Sequence, residues 1–308
     1  MVVWYNSSMN IKYIITDPTG NLTALVTTPV DRQYHKAVGS FIMQQNLSIE
    51  QVGFLTDVED APNVHLCSLT SPALSLTMAG GEFCGHATLS AAAYAAKCSG
   101  QARSATEEIT ILSSGTTGPV TASITNLSDD GSFYVGRLSM PLPVNITCYP
   151  YDTKGPNGIV SLPVVNFPGI SHMIVSNQFM TEEDAESQIR EIASGLGIND
   201  LGIMLIYDNI DFESDNQELF MKPLVLAGGA DTLIWEHGCA SGASAVGAYM
   251  ASLASITHNK KAVSVHITQP GGFLTVNVSC DDFEISELSI VGQVRFVSSE
   301  ECSCPLIG

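Results

Sequence analysis

Residues 81–88 read Gly-Glu-Phe-Cys-Gly-His-Ala-Thr, and residues 236–243 read Glu-His-Gly-Cys-Ala-Ser-Gly-Ala. In each stretch one cysteine, Cys84 or Cys239, lies among glycines and small residues, and an alanine-rich run follows at once. Such a pattern predicts a turn that leads directly into a helix. The two stretches therefore predict a chain of two similar halves, each with a thiol at a helix N-terminus.

A thiol at the N-terminus of a helix is in a position to be reactive. The unpaired backbone N–H groups and the helix dipole stabilise a thiolate, which is the reactive form of cysteine. The same N–H groups also bind a carboxylate. Two such thiols could hold one amino acid, so that one thiolate removes the α-proton and the other thiol returns a proton to the opposite face.

Composition limits the classes of partner. The chain has 308 residues, of which 45% are hydrophobic, so it can form two domains with sizeable cores. Its formal net charge is −19, with only 12 lysines and arginines. This charge would repel nucleic acid and anionic membranes, and we expect neither as a partner.

The sequence also predicts a cytoplasmic protein with reduced cysteines. Residues 1–10 lack a basic segment followed by an apolar core, and no apolar run approaches the length of a membrane span. The eight cysteines show no disulfide spacing. We interpret Cys67, Cys98, Cys148 and Cys280 as small buried hydrophobic residues, and the Cys302-x-Cys304 tail as a flexible end rather than a metal site.

Strand patterns dominate the rest of the chain, with a polar turn at residues 126–132 between the halves. A hairpin is predicted from strands 12–16 and 22–28 around a turn at 18–21. Further strands are predicted at residues 51–55, 64–69, 109–112, 120–125, 133–140, 202–207, 220–225, 263–267, 273–278 and 291–297. Helices are predicted at residues 35–45, 87–97 and 181–196, with another after Cys239.

Several motifs carry a resemblance to a known family. The Cys-Gly-x-x-Thr turn at Cys84, the Cys-x-Ser-Gly turn at Cys239 and the duplication resemble the cofactor-independent racemases of the diaminopimelate epimerase superfamily. Within it, the chain is most similar to the histidine racemases of staphylopine-type metallophore biosynthesis. The other matching stretches are residues 18–23, 50–54, 233–236, 269–272 and 292–294.

The resemblance implies an α/β (α+β) fold of two pseudo-symmetric domains. Each would be a curved, mostly antiparallel sheet around a central helix, with the C-terminal strand returning to the first domain. The predicted N-terminal half comprises residues 1–131 plus 288–308 and carries Cys84. The predicted C-terminal half comprises residues 132–287 and carries Cys239.

The resemblance also implies the site residues. Cys84 and Cys239 would be the acid–base pair, with no cofactor and no metal. The backbone N–H groups of Gly85, His86, Ala240 and Ser241 would hold the α-carboxylate. Asn21 and Gln51 would line the substrate pocket, and His172 and Glu236 would steer the substrate amine and the cysteines. The family implies a small amino acid as the partner, and a homodimer is an expected assembly.

The sequence leaves three hypotheses for the function. Histidine is the expected substrate, while a proline or hydroxyproline racemase or epimerase and a non-catalytic amino-acid-binding protein are the alternatives. Position 86 is His where the epimerases and the staphylopine-type enzymes carry Asn. The run from Glu236 to Cys239 is shorter than in diaminopimelate epimerase, which argues against diaminopimelate as substrate. The phenazine-biosynthesis isomerases share Gly-His-Ala-Thr but lack the cysteine pair, so Cys239 argues against that class.

Overall fold

The computed structural model describes residues 7–57, 74–214, 216–228 and 232–306. The chain divides into two compact units, one of Met1–Gly136 with Gln293–Gly308 and one of Arg137–Gly292. Strands outnumber helices, and the predicted α/β (α+β) class is confirmed. The predicted strand at residues 64–69, with Cys67, lies outside the described residues.

The elements follow one another in a regular order. Up to β7 they are β1 Ser7–Asp17, β2 Thr23–Val26, α1 His35–Gln45, β3 Gln51–Asp57, β4 Leu74–Met78, α2 Gly85–Cys98, β5 Thr106–Ser113, β6 Val120–Asn126 and β7 Phe133–Ser139. After β7 they are β8 Asn145–Asp152, β9 Ile159–Phe167, β10 Ile170–Ser176, α3 Glu182–Leu196, β11 Asp200–Ile206, β12 Asn216–Ala227, β13 Thr232–Trp235, α4 Ala240–His258, β14 Ala262–Gln269, β15 Gly272–Asp281 and β16 Glu284–Leu306.

The two units share one pattern of strand pairing. In the first, β1–β2, β3–β4 and β5–β6 are antiparallel while β2–β3 and β4–β5 are parallel. In the second, β9–β10, β11–β12 and β14–β15 are antiparallel while β10–β11 and β12–β14 are parallel. Each parallel step is bridged by a helix, as such a crossover requires. The units are therefore two versions of one topology, as the paired cysteine motifs predict.

In the first unit, α2 is the central helix. Ten of its residues are buried, and most of them are alanine, glycine, serine or threonine, which let strands approach closely. Thr16 of β1 hydrogen-bonds Ser90 of α2 over 3.0 Å between hydroxyl oxygens. The opposite face of β1–β3 packs against α1 through an apolar cluster that includes Val26 and Ile42. Strand β2 is buried throughout because it is covered on both faces.

In the second unit, α4 is the buried helix and α3 is amphipathic. Thr181 and Asp184 form a capping box at the start of α3, and Gly197 ends the helix in the left-handed conformation. Ile189 and Ile192 of α3 lie in an apolar cluster with residues of β8–β12. The helix predicted at residues 181–196 is thus confirmed in type, with Thr181 as its cap.

Two of the cysteines expected to be buried are exposed. Cys98 is the last residue of α2, and Cys148 lies in β8, so neither faces a core. Cys280 is buried as expected.

The C-terminal cysteines correct a second expectation. Cys302 and Cys304 are not in a flexible end but in β16, where they pair with Ile11 and Met9 of β1. Cys304 is 1% exposed and belongs to the apolar cluster beside α1. The antiparallel partner strand supplies the backbone hydrogen bonds that hold this segment in the sheet. Among the described helices, none has both the length and the apolar character needed to cross a bilayer.

Gly247 tests how tightly α4 packs against β15. A Cβ atom at this position would lie 2.5 Å from Cγ1 and 3.1 Å from Cβ of Val276, so Gly247→Ala must move the helix or the strand. We expect this strain to exceed the gain in helix propensity of about 1 kcal/mol. The free energy of unfolding should fall by about 1–2 kcal/mol in urea titrations.

Gly195→Ala in α3 is the matched control. Gly195 is exposed, and its added Cβ would meet Tyr149 at an ordinary contact distance of 3.4 Å. This variant should gain about 0.5–1 kcal/mol of stability. A Gly247→Ala protein that gains as much as the control would contradict the close approach of α4 to β15.

Candidate active site

Cys84 occupies the N-cap of α2. Its backbone is extended, with φ −124° and ψ 112°, and its Sγ accepts a hydrogen bond from the N–H of Ala87 over 3.5 Å. The hydroxyl of Thr88 donates to the carbonyl of Cys84 over 2.8 Å and lies 3.1 Å from the hydroxyl of Ser113. The thiol therefore takes the place that a Ser or Asp side chain takes at an ordinary helix cap.

The segment before Cys84 is held by the turn that follows β5. The hydroxyl of Ser114 accepts from the N–H of Met78 over 3.0 Å and donates to the carbonyl of Glu82 over 2.7 Å. Gly115 has φ +74°, and a Cβ there would collide with the backbone N of Phe83. Only glycine fits this contact without strain.

His86 is the second residue of α2, and its imidazole is buried. The side chain is 1% exposed, and Nε2 has no hydrogen-bond partner among the described residues. Burial penalises the charged form and lowers the pKa of His86 to about 4. The imidazole is therefore neutral at physiological pH, while its backbone N–H lies in the first turn of the helix.

Cys239 occupies the N-cap of α4 in the second unit, with φ −130° and ψ 108°. Its own N–H donates to Oε1 of Gln269 over 2.6 Å, and the residue is 6% exposed. Burial raises the pKa of the Cys239 thiol well above its usual range, and the charge of nearby Glu236 raises it further. In the resting protein, Cys239 is accordingly a neutral thiol at pH 7.

Ser241 lies next to Cys239, and His172 lies next to Ser241. The hydroxyl of Ser241 lies 3.6 Å from Sγ of Cys239, and Nε2 of His172 lies 3.0 Å from the same hydroxyl. His172 is fully buried, which lowers its pKa to about 3 and keeps it neutral. Its Nδ1 lies against Gly202 of β11, where a Cβ would collide with the ring.

The turn before Cys239 is also held by a neighbouring hairpin. The N–H of Gly271 donates to the carbonyl of His237 over 2.8 Å, and the N–H of Glu236 donates to the carbonyl of Pro223 over 3.0 Å. Together with Gln269, these bonds come from the β14–β15 turn and from β12. In both units, then, the hairpin after the helix positions the cysteine turn.

The structure brings together some of the predicted site residues. In the second unit, Glu236 and Ser241 lie next to Cys239, and His172 lies within hydrogen-bond distance of Ser241. In the first unit, the buried Gly85 and His86 follow Cys84 in the first turn of α2, as Ala240 follows Cys239. Asn21 precedes β2 and Gln51 begins β3, where Gln51 pairs with Thr23. Their role in a substrate pocket remains a prediction.

Sequence reasoning did not assign roles to Ser113, Ser114 and Gln269. Gln269 lies in a motif that carried the resemblance, and its position next to a glycine-containing turn was the available signal. Ser113 and Ser114 follow the strand predicted at residues 109–112 and form no recognisable motif. Their partners are Thr88 and Glu82, about thirty residues away along the chain, so only the folded chain reveals the contact.

Comparison with known proteins identifies the family. Residues 10–301 match the profile described as the histidine racemase CntK N-terminal domain. The chain belongs to this family. It is an isomerase of the amino-acid racemase and epimerase class, and the resemblance drawn from the cysteine motifs is confirmed.

Curated relatives cover nearly the whole chain. A histidine racemase of Fusobacterium nucleatum subsp. nucleatum is 26% identical over 293 residues, which is 94% of this chain and 95% of that protein. A histidine racemase of Staphylococcus aureus is 25% identical over 300 residues, which is 94% of this chain and 96% of that protein.

Solved structures agree on the fold. A hydroxyproline epimerase from Agrobacterium vitis with bound trans-4-hydroxy-L-proline superposes with a TM-score of 0.60 at 9% identity, covering 99% of this chain and 95% of that chain. A probable proline racemase from Agrobacterium radiobacter K84 gives 0.56 at 13% identity, covering 95% and 92%. At these identities the likeness concerns the architecture.

Gln269→Leu tests the support of the second cysteine. The substitution leaves the buried N–H of Cys239 without its acceptor, and we expect a loss of about 1–3 kcal/mol in the free energy of unfolding. Amide hydrogen exchange at residues 238–241 should rise more than elsewhere. Gln101→Leu, which removes two buried bonds to the carbonyls of Ala105 and Ile124, is the control and should leave that segment protected. Equal exchange in both variants would contradict the role of Gln269.

His86 predicts a pH dependence of stability. Its folded pKa of about 4 lies below the unfolded value of 6.5, so between these values only the unfolded chain binds the proton. Stability is therefore lost as the pH falls from about 6.5 towards 4. Between pH 7 and pH 5 this one group removes about 2 kcal/mol.

Between pH 7 and pH 5, the free energy of unfolding of His86→Asn should fall by about 2 kcal/mol less than that of the wild type. Urea titrations at the two pH values measure this difference. His258→Asn, at the exposed end of α4, should keep the wild-type difference. A pH dependence unchanged in His86→Asn would show that His86 is not buried in its neutral form.

Proposed function

We propose that the chain racemises free histidine in the cytoplasm without an organic cofactor or metal. Cys84 and Cys239 serve as the acid–base pair on one α-carbon. The observation that carries this proposal is that each unit has one cysteine at the N-cap of a buried helix, in a chain that matches its family over residues 10–301. A reducing compartment suits the mechanism because both sulfurs must remain free thiols.

The resting protonation states suggest which thiol acts first. Cys239 is held as a thiol by burial and by the charge of Glu236. Both sulfurs accept a backbone hydrogen bond, Cys84 from Ala87 and Cys239 from Gly242, but Cys84 is only partly buried, so burial opposes its thiolate less. Cys84 then takes the α-proton, and Cys239 gives its proton to the resulting carbanion from the other face. The reverse reaction exchanges the two roles.

The carboxylate of the amino acid makes the α-proton easier to remove. The N–H groups of Gly85 and His86 in α2, and of Ala240 and Ser241 in α4, lie in first helical turns and lack partners within the helix. By donating hydrogen bonds to the carboxylate, these N–H groups stabilise the negative charge that spreads onto it as the α-proton leaves. Binding of the carboxylate therefore depends on the shape of the two turns, because it uses backbone groups only.

Histidine is proposed as substrate because of the relatives. The Fusobacterium nucleatum and Staphylococcus aureus histidine racemases align with 94% of this chain. Asn21, which is only 1% exposed, and Gln51 are the proposed pocket residues of the first unit. His172 and Glu236 are the proposed steering residues of the second.

The test is isotope exchange in deuterated water without added cofactor. Incubation with L-histidine should give α-deuterated product and a mixture of both enantiomers, read by chiral chromatography and mass spectrometry. Cys84→Ser and Cys239→Ser should each lower the rate by about 10²–10⁴-fold, since each removes an acid–base group. Cys98→Ser and Cys148→Ser, at exposed thiols, are the controls and should keep wild-type rates.

The same assay separates the alternatives. L-proline, trans-4-hydroxy-L-proline and diaminopimelate complete the panel. Faster exchange of proline or hydroxyproline than of histidine would overturn the substrate assignment. No exchange with any amino acid, together with calorimetric binding of one of them, would identify a binding protein. Near-normal turnover in either cysteine variant would refute the acid–base pair.

A further inference from the structure

A chain of three side chains leads from the interior of the second unit to Cys239. Nε2 of His172, on β10, lies 3.0 Å from the hydroxyl oxygen of Ser241. That oxygen lies 3.6 Å from Sγ of Cys239, which is within reach of a hydrogen bond to the larger sulfur atom. Ser241 is the second residue of α4, so its backbone N–H belongs to the first turn while its side chain bridges the other two groups.

The buried end of His172 decides the direction of these hydrogen bonds. Nδ1 is buried and has no hydrogen-bond partner among the described residues. A buried N–H without an acceptor is rarer in proteins than a buried acceptor without a donor. The neutral ring therefore carries its proton on Nε2, where Ser241 accepts it.

The hydroxyl of Ser241 then has one proton left to give. Because its oxygen already accepts from His172, the O–H is free to donate towards Cys239. A donor aimed at sulfur favours the thiolate over the thiol. This interaction opposes the burial and the negative charge of Glu236, both of which favour the neutral thiol.

The first unit differs at the position of Ser241. The second residue of α2 is His86, not a serine, and its Nε2 has no partner among the described residues. A backbone donor is common to the two thiols: Cys84 accepts from the N–H of Ala87 and Cys239 from the N–H of Gly242, each the third residue of its helix. The hydroxyl of Ser241 is a further donor to Cys239 at a position where α2 has no hydroxyl.

We propose that the side chain of Ser241 is a positioning residue for the proposed reaction: oriented by the Nε2–H of neutral His172, its hydroxyl donates a hydrogen bond to the Cys239 thiolate. The proposal rests on the proposed function for its role in turnover, but the hydrogen bond itself does not. It adds a side-chain role to a residue whose backbone N–H alone was predicted to matter. The charged and titratable groups facing Cys239 are Glu236, from the preceding turn, and His172, through Ser241.

The direct test is the alkylation of Cys239 by iodoacetamide, followed peptide by peptide with mass spectrometry from pH 6 to pH 10. Only the thiolate reacts, so the rate reports the thiolate population. Ser241→Ala should lower the rate at Cys239 about tenfold at each pH in this range, because the thiolate is the minor form throughout it. The rate at Cys84 should stay at the wild-type value.

Three further variants separate a hydrogen bond from a packing effect. Ser241→Thr keeps the hydroxyl and should restore the alkylation rate. Ser244→Ala removes another buried hydroxyl of α4, one without a partner among the described residues, and should change nothing. Adding Ser241→Ala to His172→Leu should give no further loss, because the two residues act on Cys239 through the same bond.

Turnover gives the second readout. A racemisation has an equilibrium constant of one, so kcat/KM is the same in both directions, and the asymmetry of the thiols cannot appear as a directional preference. It should appear instead as a shift in the pH profile of kcat/KM for histidine in Ser241→Ala, restored in Ser241→Thr.

The outcomes distinguish this inference from the function on which it rests. An unchanged alkylation rate at Cys239 in Ser241→Ala, or an equal loss in Ser244→Ala, overturns the inference even if histidine is racemised. A selective loss at Cys239 in a protein that exchanges no amino acid supports the hydrogen bond and refutes the proposed function. A selective loss together with a shifted pH profile supports both.

Discussion

The backbone N–H groups in the first turns of α2 and α4 have no acceptor within their own helices, and this governs how both cysteine turns are built. Both helices are buried on nearly every side, so water does not reach all of these donors. Some of these donors have acceptors inside the unit: the N–H of Ala87 bonds Sγ of Cys84, and the N–H of Cys239 bonds Oε1 of Gln269. The remaining backbone N–H groups are suited to binding a small anion, and in each unit the cysteine thiol lies next to them.

Burying a helix in this way requires small side chains. The alanines of α2 and α4 allow the strands to approach, and Gly247 is the point where even a methyl group would be too large. Such a helix has little conformational freedom at its start. The cysteine turn is in addition bonded to the following hairpin, through Ser114 in one unit and through Gln269 and Gly271 in the other. A rigid thiol is what stereochemically controlled proton transfer needs.

The two units share a topology and differ in chemistry. Where α2 has a buried, neutral histidine at its second position, α4 has a serine that meets a buried, neutral histidine from β10. Both imidazoles are kept uncharged by burial, which lowers stability in acid. Each sulfur accepts a backbone hydrogen bond, but burial and Glu236 hold Cys239 as a thiol, whereas Cys84 is more exposed. Duplication accounts for the common frame, and later divergence of a few side chains accounts for the different environments of the sulfurs.

Sequence patterns were enough to predict the paired cysteine turns, the helices that follow them, the capped helix at Thr181 and the duplicated order of elements. Each of these depends on residues close together in the chain, where helix caps, turn residues and periodicity act directly. The prediction was wrong about Cys302 and Cys304, because a strand at the end of a chain is made by its partner, here β1, more than by its own residues. Only the tertiary structure decided that Ser114 holds Glu82, that Gln269 receives the N–H of Cys239, and that His172 reaches Ser241. Those pairs are separated by about 30 to 70 residues, and no local pattern encodes a hydrogen bond that exists only when strands and helices pack.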